Sequence, residues 1–230
     1  MPRSYQQYCP LARALDVVGD RWTMLILREL FFAPKRFTDL EQRLDGIAPN
    51  LLSRRLKELE TRGLVRRRRL DPPAAATVYE STEQARGLRT AMLELSRWGI
   101  QFLGAYDGEE TFSVEWLVPM LEEMADRDAA KGVWDLYRFV IGGDPFWVEV
   151  ADGDVRVRAG EPPRAPDLSA ELDVATFMEL GFGTLDPMEA LAQGRATASG
   201  DLTRTQTALD VLAPARIFAK ATASGAGAPG

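Results

Sequence analysis

Histidine is absent from all 230 residues, and cysteine occurs once, as Cys9. Without histidine the chain cannot build a Ser-His-Asp or Cys-His pair, a histidine general base or a His-liganded zinc. A single cysteine allows no disulfide within the chain and no Cys-rich metal cluster, a usage that fits a reducing compartment. The sequence nominates no catalytic residue, metal site or cofactor. No apolar run approaches the roughly 18 residues that mark a membrane span. Residues 1–15, MPRSYQQYCPLARAL, lack the apolar core of a signal peptide. The expectation is a cytoplasmic chain with no membrane partner.

Lysine is scarce too, four residues against 24 arginines, and the charge is unevenly divided. Residues 1–105 hold 18 Lys+Arg against 12 Asp+Glu, a balance of +6, whereas residues 106–230 hold 10 against 22, or −12. The overall −6 therefore describes neither half. A basic half followed by an acidic one suggests a polyanion-binding module joined to something else. Arginine's planar fork suits phosphates and guanine edges, although GC-rich coding produces the same bias.

Apolar residues at Leu11, Leu15 and Val18, and again at Trp22, Leu25, Ile26 and Leu30, recur with the spacing of helices packed on a core. Gly19-Asp20 separates the two helices. A short third helix is expected from Phe37-Thr38 to Leu44, with Thr38 as N-cap and Glu41 completing a capping box. After the turn Asp45 to Pro49, a fourth helix begins at Asn50, with Leu52, Leu56 and Leu59 on one face and Ser53, Arg54 and Lys57 elsewhere. Two helices joined by a glycine turn, the second apolar behind and polar in front, form a helix-turn-helix pattern.

Gly63 stops that helix, and Leu64 to Leu70 and Ala76 to Ser81 read as the two strands of a wing joined at Asp71-Pro72-Pro73. Arg66, Arg67, Arg68 and Arg69 alternate faces on the first strand, so about half of them can meet one phosphate backbone. The blander reading is a solvated edge that discourages strand pairing. A longer helix is expected after Thr82-Glu83, with Leu88, Met92, Leu95, Trp98, Phe102 and Leu103 at helical spacing. So wide a stripe predicts packing on a second copy, in a homodimer.

Cys9-Pro10-Leu11, the stretch Ala14 to Leu30 (ALDVVGDRWTMLILREL), Arg36 to Leu40 (RFTDL), Ile47 to Leu59 (IAPNLLSRRLKEL) and Gly63-Leu64-Val65 resemble the HxlR-type winged helix-turn-helix regulators over about residues 8–105. The resemblance implies a dimeric transcription factor acting on a double-stranded DNA operator. It also implies that Cys9 is a candidate redox trigger, since some members sense electrophiles or oxidants through a cysteine at its position.

Major-groove readout needs small polar or forked donors near the N-terminus of the recognition helix, where Pro49, Asn50, Ser53 and Arg54 stand. Arg54 is the candidate for a bidentate guanine contact. Arg55 has the spacing to pair with Glu58 instead. Lys57, Arg66 and Arg68 are candidate phosphate contacts. Cys9 itself admits two readings, a small buried hydrophobe or a thiolate favoured by a helix N-terminus and by Arg13.

Tyr106 to Glu110 is a polar break where the charge changes sign. A helix is expected over Glu115 to Asp128, and then the period switches to two through Trp134–Ile141, Val148–Val150 and Val155–Arg158, with Asp152-Gly153-Asp154 as a hairpin turn. Glu171 to Val174 reads as a further strand, Thr176 to Leu180 as a short helix, Asp186 to Leu191 as a capped helix, Arg195 to Ser199 as a closing strand and Asp201 to Ala213 as a last helix. The fold class is thus two domains, a mainly α winged helix-turn-helix followed by an α+β domain with a mostly antiparallel sheet and helices on one side.

The hairpins, with Ala170 to Phe177 (AELDVATF), Asp186 to Arg195 (DPMEALAQGR) and Gly200-Asp201-Leu202, resemble the sterol-carrier-protein-like fold over about residues 113–220. That resemblance implies a pocket for an apolar molecule. Phe146, Trp147, Phe177 and Phe182 are its candidate lining. The expected organisation is a DNA-binding and dimerisation domain at 1–105, a linker at 106–112, a ligand-binding domain at 113–220 and a flexible tail at 221–230. Three functions follow for test: a regulator controlled by an apolar effector, a thiol-based regulator acting through Cys9, and a DNA-tethered lipid carrier or enzyme.

Overall fold

A computed structural model describes residues 4–73 and 75–212 of the chain, and packing divides it into two units between Met92 and Leu93. The first unit contains α1 (Pro10–Val18), α2 (Thr23–Phe32), α3 (Phe37–Arg43), α4 (Pro49–Thr61), β1 (Val65–Arg69), β2 (Thr77–Ser81), α5 (Glu83–Arg86) and the start of α6 (Arg89–Gly99). Ile26, Leu27 and Leu30 of α2, Leu40 of α3 and Leu52, Leu56 and Leu59 of α4 form its core, whereas the stripe expected on α1 is not buried: Leu11 and Leu15 are exposed and α1 turns Ala12 inward instead. Pro49 stands in the first turn of α4, where its missing N–H costs nothing.

Two details differ from expectation. The N-cap of α3 is Arg36, not Thr38, because the Asp39 carboxylate reaches back to accept the Arg36 backbone N–H at 2.9 Å, which brings Phe37 and Thr38 into the first turn. The long helix after Thr82 is interrupted at Gly87. There the Leu88 N–H bonds the carbonyl of Ala85, three residues back, rather than continuing the four-residue ladder. Glycine is a poor helix former, and the break separates α5 from α6.

Glu29 of α2 is completely buried and receives hydrogen bonds from Arg28 and from Arg43 of α3, which ties the two helices together. The strands β1 and β2 are antiparallel, and Lys35 adds a short bridge to Tyr79 through two backbone hydrogen bonds. The first unit is therefore a helix-turn-helix carrying a β-hairpin wing.

The second unit contains α7 (Val114–Met124), β3 (Trp134–Ile141), β4 (Asp144–Ala151), β5 (Asp154–Ala159), β6 (Leu168–Leu172), α8 (Val174–Phe182), α9 (Pro187–Ala192), β7 (Ala196–Gly200) and α10 (Thr205–Leu212). The sheet order is β5-β4-β3-β6-β7, with only β3 and β6 parallel. Asp152 and Gly153 both take positive φ in the β4–β5 turn, the geometry of a tight hairpin. Alternation along the strands puts Tyr137, Phe139, Ile141, Phe146 and Val148 on the face that packs against the core.

Three boundaries move. The helix expected to run to Asp128 stops at Met124, because Ala125 turns extended and the Asp126 N–H bonds the Val211 carbonyl at 2.7 Å. The strand expected through Val174 ends at Leu172, because Asp173 caps α8, its Oδ1 accepting the Thr176 N–H at 2.7 Å. Asp201 caps a 3-10 turn over Leu202–Arg204 ahead of α10. Residues 213–220 of the expected second domain and the tail at 221–230 lie outside the described residues. Among the described residues no helix is long and apolar enough to cross a membrane.

Candidate functional site

The front of α4 is an exposed polar face of the helix-turn-helix. Its back is fixed by Leu52, Leu56 and Leu59, all essentially without exposure. That rotation leaves Pro49, Asn50, Ser53, Arg54 and Lys57 facing solvent over the first three turns. Among the described residues none of these polar side chains has a hydrogen-bond or ion-pair partner. Arg55 behaves differently. It lies partly buried and donates from Nη1 to Glu58 at 2.6 Å and from Nη2 to Asp20, so it holds α4 to the segment before α2.

The wing arginines are divided by the pleat. Arg66 donates to Glu80 at 2.6 Å and Arg68 donates to the other oxygen of the same carboxylate at 3.0 Å. These two hydrogen bonds, that from Arg68 foremost, hold the Glu80 carboxyl below the usual carboxylate range. On the opposite side Arg67 meets Glu60 at 3.0 Å and lies over the Tyr79 ring. Arg69 is exposed and has no such partner among the described residues. The Glu80 carboxylate thus offsets one of the two positive charges taken as phosphate contacts, an arrangement set by the hairpin register.

Cys9 is the N-cap of α1, half-buried, and its side chain makes no capping hydrogen bond. Arg13, one turn later, is directed to Asp16 and Ser4. Along α6 and the 3-10 turn that follows it, Leu95, Trp98, Phe102 and Leu103 are exposed, and the rings of Trp98 and Phe102 meet edge to face at 4.7 Å.

The second unit holds a partly open cavity of about 110 Å³ between the core face of the sheet and α7 to α10. Phe139 of β3 and Phe146 of β4 stack on its floor, ring centroids 5.2 Å apart, and Phe177 and Leu180 of α8 close one wall. Ala170, Ala196, Ala198 and Ala208 leave the space open. The wall presents no polar surface, although Thr205 is among its residues. Of the four candidate lining residues, Phe146 and Phe177 reach the cavity and Trp147 and Phe182 do not. Trp147 follows Phe146 on a strand and so points to the other face, opposite Arg138. Phe182 follows Phe177 by five residues, off the face shared by Phe177 and Leu180.

The alanines were missed in the sequence because they carry no bulk to attract notice; their signal was the small residue at every second position, Ala196 and Ala198, on β7. Elsewhere in this core the Tyr137 hydroxyl donates to Asp135 at 2.6 Å, and burial, with the charge of Asp167, pushes its pKa up to about 12. Arg204 pairs with the same Asp135. No group of residues able to hold a metal occurs among the described residues.

A family model described as HxlR-like helix-turn-helix matches residues 17–107, and one described as the SCP-2 sterol transfer family matches residues 118–212. The HTH-type transcriptional regulator MT3179 of Mycobacterium tuberculosis is 41% identical over 98 residues, which are 43% of this chain. The matched stretch spans 61% of the length of that relative. The HTH-type transcriptional regulator YodB of Bacillus subtilis is 34% identical over 95 residues, covering 41% of this chain and 85% of the relative. The solved structure of the reduced form of YodB aligns with a TM-score of 0.38 at 32% identity, covering 44% of this chain and all of the other.

Proposed function

The chain belongs to the HxlR-like helix-turn-helix family, and from that premise we propose that it is a dimeric, sequence-specific transcriptional regulator of double-stranded DNA, controlled by an apolar effector in its C-terminal domain. The observation that carries the reading is α4, which buries three leucines and leaves Asn50, Ser53, Arg54 and Lys57 exposed at its N-terminal turns, with no side-chain partner among the described residues. Those are the turns that meet base edges when such a helix enters the major groove. Pro49, Asn50, Ser53 and Arg54 then face the bases, and Lys57 the phosphates. Arg66 and Arg68 each give Nε to Glu80, which leaves their Nη groups to meet phosphate.

Residues 1–105 serve DNA binding and dimerisation in this reading, and residues 113–220 serve ligand binding. The exposed Leu95, Trp98, Phe102 and Leu103 support a second copy as partner, because apolar side chains this large gain by leaving water. The cavity supports the effector. Such a ligand alters DNA affinity only by binding the DNA-competent and incompetent states unequally. The cavity wall offers no carboxylate and no amine, which favours binding over turnover.

The test is selection of a site from random duplex DNA by the full chain, with affinity followed by fluorescence anisotropy and stoichiometry by light scattering. The expected result is two chains on a site with half-sites about 10 bp apart. Binding no tighter to the selected site than to random duplex at the same salt overturns the reading.

A second reading, a thiol trigger at Cys9, rests on the half-buried position of that residue at the N-terminus of α1. Cys9→Ser separates the two. If diamide releases the wild-type chain from its site and leaves the variant bound, the thiol is the trigger; an unchanged oxidant response in the variant rejects it.

A further inference from the structure

Neighbouring arginines on α4 face different ways. Arg54 is exposed with no partner among the described residues, whereas the Arg55 side chain is only 20% exposed and is held by two of its three nitrogens. Nη1 donates to Glu58 of the same helix at 2.6 Å, and Nη2 donates to Asp20, between α1 and α2. Asp20 is itself fixed, since its other carboxylate oxygen accepts the Trp22 backbone N–H at 3.4 Å. Arg62, at the C-cap of α4, donates from Nη1 to the backbone carbonyl of Asp16, in the last turn of α1, at 2.7 Å.

Leu52, Leu56 and Leu59 bury α4 without fixing its roll, because apolar contact has no direction. Hydrogen bonds do. Arg55 and Arg62 stand two helical turns apart, about 10 Å, on one flank of the leucine stripe, and both reach the short segment from Asp16 to Asp20. Two such bonds set both the roll of the helix and its shift along its axis. Stability alone does not favour this arrangement. The Arg55 Nε is buried with no hydrogen-bond partner among the described residues, a costly state for a polar group. A buried ion pair is often matched or bettered by apolar side chains of the same volume. What the pair supplies and a leucine does not is orientation.

We infer that Arg55, with Asp20 as its partner and Arg62 as a second latch, is a positioning residue for base reading: it sets the roll of α4 and so the aim of the Arg54 guanidinium, and it raises sequence discrimination without touching DNA. This role rests on the reading of α4 as the recognition helix. A bidentate contact needs two hydrogen bonds near ideal geometry, so a small roll that costs the fold little removes it. Phosphate attraction is less exacting, and nonspecific affinity survives the same roll.

The experiment pairs Asp20→Asn with Arg55→Met in the full chain. This double variant loses one charge of each sign and keeps an acceptor for the Trp22 N–H. Anisotropy at two salt concentrations gives its affinity for the selected and for random duplex, and thermal melting reports the fold. The expected result is an affinity for random duplex, a salt slope and a melting midpoint close to those of the parent chain, with the preference for the selected duplex lowered about tenfold, the scale of one lost bidentate contact. In an Arg54→Ala background the same pair of substitutions should lower discrimination no further at the base Arg54 reads, since it acts through that residue. Should the double variant fail to fold, Arg55→Lys keeps the charge and loses the fork, and a smaller loss of preference at unchanged salt slope is expected. A full preference in either variant, or a loss that adds in full to that of Arg54→Ala, overturns the positioning role alone. A parent chain that does not prefer the selected duplex overturns the recognition-helix reading, and this role with it.

Discussion

Arg66 and Glu80 are cross-strand partners in the β1–β2 hairpin, and Arg66 Nε donates to the Glu80 carboxylate at 2.6 Å. Arg68 shares that carboxylate, so one acid occupies two guanidinium groups on the same face of the wing. Both arginines are about half exposed or more, which leaves them able to change partner. Glu80→Gln removes the competing charge. The expected outcome is tighter binding to nonspecific duplex and a salt dependence steeper by about one to two units of slope, since each phosphate neutralised adds about 0.9. Anisotropy titrations between low and physiological salt measure this, and an unchanged slope means the wing does not touch DNA.

A second prediction concerns pH and the cavity wall. The Asp173 carboxyl is held below the usual carboxylate range, chiefly by the backbone N–H of Thr176, whose hydrogen bond caps the helix carrying Phe177 and Leu180. A depressed acid contributes stability above its unfolded value, about pH 4, and loses it as the pH falls through the lower folded value. Asp173→Ala is expected to cost about 1 kcal/mol near neutral pH. Asp173→Asn keeps a capping oxygen without a titrating proton, so its stability should fall less between pH 5 and pH 3 than that of the parent chain. Urea melts at a series of pH values decide the point; parallel curves for the two proteins refute it.

The sequence was informative where periodicity and packing coincide. Leu52, Leu56 and Leu59 reveal the rotation of α4 because an apolar stripe at helical spacing has one place to go, and the exposed residues at 50, 53, 54 and 57 follow from it. The same argument, applied to β4, would have separated Phe146 from Trp147, since neighbours on a strand cannot line one cavity. What escaped was structure made by register and by absence. The Glu80 clamp depends on how β1 and β2 align, and nothing local in the sequence sets that alignment. The cavity depends on alanines, and the break at Gly87 depends on one hydrogen bond changing from four residues to three.

A third prediction uses the exposed face of α6. Trp98 is 60% exposed and contacts the equally open Phe102. Since the solvated face is proposed to meet a second copy, Leu95→Glu with Trp98→Ser should convert a dimer into a monomer at micromolar concentration. Stability of the isolated fold should change little, because neither side chain is part of a buried cluster. Light scattering reports the mass and circular dichroism the fold. A variant that remains dimeric places the interface elsewhere.

The last prediction separates reading from holding on α4. Arg54 and Lys57 are both exposed, both cationic and both without an ion-pair partner among the described residues, so removing either takes one charge from the same helix and breaks no ion pair there. Their chemistry differs. A guanidinium can make two hydrogen bonds to one guanine, and losing such a contact costs about 1–3 kcal/mol on the preferred base and little on the others. An ammonium on phosphate contributes almost equally at every sequence and is counted in the salt slope. Arg54→Ala should therefore flatten base preference at one position per half-site, whereas Lys57→Ala should weaken all sequences together and lower the slope by about one. Binding measured across a library of single-base variants, at two salt concentrations, resolves the two patterns. If both substitutions weaken all sequences alike, α4 lies along the backbone and the bases are read by another element.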